Sequence, residues 1–397
     1  MSDVPFGFSP GGDDAERPDP DRRDPARREP GSGGPSTAGI PDFGLPADIA
    51  GKIPLFSELQ KLMSWQGGPV NWDLARQSAI SQVAGGHVPV SDAERRDVEE
   101  AIRLADLWLD PMTTLPSGVA QVQAWSRIEW VEKTLPVWSQ LCDPVAGRVV
   151  AAMGQALPEE AQQLAGPMMG LLGQFGGLMF GAQVGQGIAS LAAEVLTSSD
   201  VGLPLGPAGT AVLLPQNIQT FSQGLGLPPQ EIRLFLALRE VAHHRLFRHV
   251  PWLTKRLLGT VDAYARGITV DREAINEAMT RIDPSNPESV QEALGGGMFQ
   301  PQDTAEQQLA LARLETLLAL VEGWVDHVVA WSADGRLPGA VALRETMRRR
   351  RASGGPAEQT FATLVGLELR PRRLREAATL WTLLADRRDL AGRDAIW

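Results

Sequence analysis

Between Ala161 and Ala193 the chain carries no charged side chain. A run of that length has two ordinary fates: it crosses a bilayer, or it is buried inside a protein. Gln162, Gln163, Gln174, Gln183 and Gln186 interrupt it, and no basic flank borders it to favour insertion. Gly173, Gly177, Gly181 and Gly185 recur every fourth residue. On a helix they form one smooth stripe against which a second backbone can lie closely. The run therefore predicts a helix packed into a helical core, with no stable membrane insertion.

The remaining composition supplies such a core. Of the 397 residues 43% are hydrophobic, and the formal charge is −11. That acidic balance argues against general nucleic-acid binding, which depends on neutralising phosphates. Two basic clusters, Arg348–Arg351 and Arg370–Arg375, read as solvated helix faces and ends; the alternative is a patch for an anionic partner. Cys142 is the only cysteine, so no intrachain disulfide can form, which fits a reducing compartment. The opening Met1-Ser2-Asp3-Val4-Pro5 lacks the basic-then-apolar pattern of a secretory signal. The expected location is cytoplasmic.

Residues 1–45 are rich in Pro, Gly, Asp and Arg without aliphatic periodicity, which predicts a disordered tail. Residues 46–397 are expected to form a single, mostly helical domain. Ile49–Trp65 is amphipathic. Asn71 can cap a helix running to Ala84. Ser91-Asp92-Ala93-Glu94 is a capping box before Val98, Ile102, Ala105 and Leu109, which recur at helical spacing and stop before Pro111. Trp125–Leu141, bent at Pro136, then Asp143–Leu157 and Pro167–Leu196 follow as helices. Gly202, Pro204, Gly206, Pro207 and Gly209 mark a loop, and Ala211–Leu214 reads as a short strand. Pro228 and Pro229 open the next helix, which ends before Pro251. Further helical patterns occupy Thr269–Ile282, Ala305–Trp331, Pro338–Arg350, Pro356–Leu369 and Arg372–Asp386. The predicted fold class is mainly α with minor β.

The helix opened by Pro228 carries Arg239-Glu240-Val241-Ala242-His243-His244. This is a zinc-hydrolase H-E-x-x-H motif with one letter changed. In that motif two histidines four residues apart bind zinc from one helical face, and the glutamate acts as general base. Glu240 takes the base position and His243 the second ligand position. Arg239 stands where the first histidine belongs, and a guanidinium stays protonated and offers only donors. At about 100° per residue, Arg239, His243, Glu240 and His244 all fall on one side of the helix. Leu234–Leu238 is apolar all round, so the helix is expected to be buried and its polar face must find partners. A third ligand has to come from elsewhere. Glu315, Glu322 and Asp326 share a face of Ala305–Trp331; Glu322 is expected to face the motif helix, Glu315 and Asp326 to sit at a solvated edge.

Two outcomes stay open. In one, a divalent metal binds through His243, Glu322 and His244 as substitute ligand, and Glu240 activates a water for attack on a peptide bond. In the other, the Arg239 guanidinium fills the metal's place against the carboxylates. Among the described alternatives, a di-iron carboxylate site lacks its second Glu-x-x-His, and no nucleophile elbow or phosphate-binding loop is present.

Leu236–His243, with Arg245-Leu246-Phe247 and Val250-Pro251-Trp252-Leu253, resembles the actinobacterial zincin-like metallopeptidase family. Arg127–Val131, Phe180–Gln183, Glu322-Gly323-Trp324, Gly366–Arg375 and Gly392-Arg393-Asp394 extend the resemblance over roughly residues 46–397. It implies a zincin-like helical domain, a zinc cofactor, a peptide or protein substrate, Glu240 as base, His243 as ligand and, by position, Glu322. It also implies that the loop and strand before the motif helix form a cleft wall, and that relatives continue as a short polar tail past the position of Trp397. The expected function is a zinc-dependent metallopeptidase; the alternative is a non-catalytic protein of the same fold, acting as a binding module.

Overall fold

Caps legible in the sequence set several helix starts. In the computed structural model, which describes residues 68–156, 165–267, 304–352 and 373–397, Asn71 Oδ1 accepts from the Leu74 amide and starts α1, Trp72–Ala84. Ser91 and Glu94 exchange both capping-box bonds at the start of α2, Asp92–Leu109. Thr304 and Gln307 do the same for α8, Ala305–Ala333. Each cap satisfies amides that the first helical turn leaves without partners.

The described residues include ten α-helices, one 3-10 turn at Asp110–Met112 and two short strands. The helices between those named are α3, Arg127–Ala156; α4, Ala165–Glu194; α5, Pro215–Ser222; α6, Pro229–His249; and α7, Pro251–Arg266. Two more follow, α9, Ala340–Ala352, and α10, Leu374–Asp394. The described residues all lie within one compact unit, Glu58–Trp397. The expected tail 1–45 and the segments Ile49–Trp65, Thr269–Ile282 and Pro356–Leu369 lie outside them.

From Ala165 onward the charge-free run forms α4, which packs on α1 and α3. Its glycine stripe is used in its later half. A Cβ on Gly181 would stand 2.6 Å from the Asn71 carbonyl oxygen, and one on Gly185 2.7 Å from that of Ala75. The Asn71 amide donates to the Gly177 carbonyl at 2.9 Å. A Cβ on Gly173 would meet nothing within 4 Å, so the stripe does not serve as a contact over its whole length. Among the described residues no helix is long and apolar enough to cross a membrane.

Two expectations change. The helices predicted either side of Asp143 are one helix, α3, with Pro136 and Pro144 inside it. Each proline removes one backbone bond, a loss of roughly 3 kcal/mol in an isolated helix, and packing of α3 against α1, α4 and α7 offsets it. The strand predicted at Ala211–Leu214 is β2, Thr210–Leu213. It pairs in parallel with β1, Gln121–Ala124, which the periodicity of so short a segment could not reveal; Gln121 faces Thr210 and Ala124 faces Leu213.

At the centre lies α6. Every residue from Phe235 to Leu246 is buried, as its all-round apolar character requires. It is enclosed by α2, α8 and β2. Arg245, itself buried, fixes it to α2 and the turn after it through Asp106 at 2.5 Å, Asp110 at 2.6 Å and the Leu115 carbonyl at 2.9 Å.

Candidate functional site

The single polar side predicted for α6 divides into two ridges. Residues four apart on a helix lie nearly above one another, so Arg239 pairs with His243, and Glu240 with His244, about 100° round the axis. Each ridge meets different neighbours.

Arg239 and His243 face α8 and α9. Arg239 Nη2 donates to Glu322 Oε2 at 2.6 Å, and His243 Nε2 lies 2.9 Å from Glu322 Oε1. Arg351 Nη2 stands 3.0 Å from the same Oε1. Glu322 is 0% exposed. Burial works to raise its carboxyl group. The charges of Arg351, His243 and Arg239 outweigh that and hold it far below the usual carboxylate range. His243 Nδ1 lies 2.8 Å from the Arg239 carbonyl oxygen. Both ring nitrogens thus face oxygen atoms. Phe247 stacks on His243 with ring centres 5.9 Å apart.

Glu240 and His244 face the loop that follows α4. Glu240, also 0% exposed, accepts from Ser198 Oγ at 2.5 Å, Ser199 Oγ at 2.5 Å, the Ser199 amide at 3.2 Å and the Val212 amide at 3.0 Å. His244 Nε2 lies 3.2 Å from Glu240 Oε1. Burial pushes the Glu240 carboxyl up, but the bond and charge of His244, then the serine hydroxyls, pull it down to about 2. The loop serves both carboxylates. Gly202, in the left-handed region at φ 79°, brings its backbone so close that a Cβ would sit 3.1 Å from Glu322 Oε1.

The structure therefore brings His243 and Glu322 together as the sequence led one to expect, and sets His244 against Glu240 instead. Asp326 departs from the solvated edge predicted for it. It is buried, held by Arg344 through Nε and Nη2 at 3.0 and 2.6 Å and by Arg348 Nη2 at 2.6 Å. The Arg348–Arg351 cluster is likewise no simple solvated face. Arg348 binds Asp326, Arg350 binds Asp200 at 2.9 Å, and buried Arg351 reaches Glu322 and the Asp200 carbonyl. Three acids drawn into the interior need counter-charges, and the nearest run of arginines supplies them. Ser198, Ser199 and Arg351 are the site residues that the sequence did not single out. Serines carry no spacing signal, and Arg351 is hidden in a run whose members look alike.

Two clefts border the ridges. One of about 540 Å³ is lined by Phe235, Arg239, Asp326, Trp331 and Arg344 among others. The second, about 310 Å³, is lined by Ser198, Ser199, His244 and Phe247 and by the loop from Pro204 to Gly209. The expected cleft wall is thus the loop; β2 is buried throughout.

A hydrolytic zinc takes three protein ligands and keeps one position for water. His243 and Glu322 could contribute two. Both Glu322 oxygens, however, are already engaged by guanidinium groups, and His244 is bound to another carboxylate. Among the described residues no group of three or more His, Cys, Asp or Glu side chains is placed to hold a metal. The donor set present does not fit zinc.

The fold is similar to a crystal structure described as a "putative hydrolase with a novel fold" from Chloroflexus aurantiacus, with a TM-score of 0.53 and 21% identity over 81% of this chain and 88% of that one. At that identity the likeness concerns the fold alone. No curated protein sequence matches the chain significantly. The family model described as zincin-like metallopeptidase matches residues 70–397, from the residue before the α1 cap through α10. The chain belongs to the zincin-like metallopeptidase family.

Proposed function

We propose that this chain is a zincin-fold protein in which the Arg239 guanidinium stands where a metal would, and that it acts as a non-catalytic binding module. The observation that carries this reading is the 2.6 Å contact between Arg239 Nη2 and Glu322 Oε2. A guanidinium keeps its charge at any physiological pH, so it supplies the counter-charge that Glu322 needs without a metal. The state of Glu240 supports the same reading. A general base works best with a pKa near the operating pH, whereas Glu240 titrates at about 2 and spends both oxygens on internal donors. The metallopeptidase alternative requires His244 to leave Glu240 and join His243 and Glu322, about 100° away on the helix.

Metal content decides between the two. Protein purified without added metal should carry far less than one zinc per chain by elemental analysis, and chelation should leave its melting temperature unchanged. Arg239→His restores the full H-E-x-x-H set and should raise zinc affinity at least a hundredfold. Stoichiometric zinc in the unaltered protein, lost on His243→Ala, would return the chain to the peptidases.

A further inference from the structure

We propose that the cleft beside Arg239 binds a small monoanionic carboxylate with an apolar body, anchored by the guanidinium donors that Glu322 leaves unused. This rests on the reading that a guanidinium, not a metal, occupies the centre. The side chain of Arg239 is only 7% exposed and commits Nη2 alone, to Glu322. Its Nε and Nη1 have no partner among the described residues, and neither is among the nitrogens sealed from solvent. Arginine this deeply buried ordinarily satisfies its N–H groups, and Arg239 borders the cleft of about 540 Å³. That volume suits a small organic ligand.

Charge and surface select the ligand class. Three guanidinium groups, those of Arg239, Arg336 and Arg344, line the cleft with two carboxylates, those of Asp326 and Asp334. The surplus attracts an anion. The exposed Asp334 at the cleft disfavours a dianion such as phosphate. A planar carboxylate matches guanidinium geometry. Trp331, 38% exposed and set against the His327 ring, and Val341, 81% exposed, give the cleft an exposed apolar wall.

The test is calorimetric titration of the full chain with 2-naphthoate and with 2-naphthamide, its neutral counterpart. Naphthoate should bind at least tenfold more tightly, and Arg239→Gln should reduce it to the level of the amide. Because that change disturbs Glu322 as well, Val341→Trp is the second variant. It fills the outer wall, leaves Arg239 untouched, and should abolish naphthoate binding at an unchanged melting temperature. Equal affinity for acid and amide, full binding by Val341→Trp, or equally effective displacement by inorganic phosphate would each overturn the assignment. Two tripeptides ending in Trp, one with a free and one with an amidated C-terminus, separate the sources. Tighter binding of the free peptide than of naphthoate marks a chain terminus as the ligand; the reverse marks a free acid. Zinc is measured in the same samples. Zinc-free protein that ignores naphthoate overturns the cleft assignment alone, whereas one zinc per chain overturns the reading of the centre and the assignment with it.

Discussion

The two ridges of α6 meet the same difficulty, a carboxylate shut away from water, and resolve it differently. Along Arg239 and His243, Glu322 is balanced by two guanidinium groups and the His243 imidazole. Along Glu240 and His244, the carboxylate is held by one imidazole together with two hydroxyl and two amide donors, and by no guanidinium. Hydroxyl and amide donors match a carboxylate without adding charge, so the second ridge carries no arginine. Cations arrive in whole units, so satisfying one carboxylate with two arginines leaves a surplus. Arg239 itself borders the cleft of about 540 Å³, and that makes the first ridge the one able to hold something else.

The contrast can be broken by substitution. Glu322→Gln would strand Arg239 and Arg351 without their counter-charge, and loss of one partner from a buried ion pair costs about 3–5 kcal/mol. Chemical denaturation should show this as the largest loss of any single change at the site. Glu240→Gln, which leaves two serines and His244 behind but strands no guanidinium, should cost about 2–3 kcal/mol at neutral pH. An equal or larger loss than for Glu322→Gln would erase the distinction between the ridges. The Glu240 variant also has a signature in pH. A carboxyl lowered from 4.5 to about 2 on folding stabilises the protein fully above 4.5, and that contribution disappears as pH falls through 2. The stability gap between Glu240→Gln and the unaltered chain should therefore close over that interval, as thermal melts across pH would register. Smallest of all, Ser199→Ala removes one hydroxyl donor to a charged acceptor and should cost about 1–2 kcal/mol.

Much of the helical frame was readable because its signals are local. Asn71, Ser91 and Glu94 announce helix starts through bonds made within four residues, and the apolar run Leu234–Leu238 announced a helix buried on every side. The motif was readable too, and so was the pairing of Glu322 with it, since the periodicity of α8 turned that carboxylate inward. What stayed hidden depended on contacts across the fold. The division into two ridges follows from which element lies against each, and 100° of helix is too coarse to foretell it. Arg351 and Asp326 looked like surface charge in the sequence. Each is drawn in by partners on another element, Arg351 by Glu322 and the Asp200 carbonyl, Asp326 by Arg344 and Arg348. The continuity of α3 through Pro136 and Pro144 likewise rests on the helices packed around it rather than on its own residues.

Asp394 has a bearing on how such a chain reaches its final form. Its carboxylate accepts from Thr113 Oγ1 at 2.6 Å and the Thr114 amide at 2.7 Å, across 281 and 280 residues, and from Trp324 Nε1 at 3.0 Å. Those threonines follow α2, whose Asp106 grips the arginine that fixes α6. During synthesis the N-terminal helices emerge long before the residue that ties them to α8. Contacts of such sequence separation form late, because the loop must close before the contact repays it. Until Asp394 arrives, the polar centre is assembled without its final clasp, and a nascent chain stalled before that point would present a partly fastened core to chaperones and proteases.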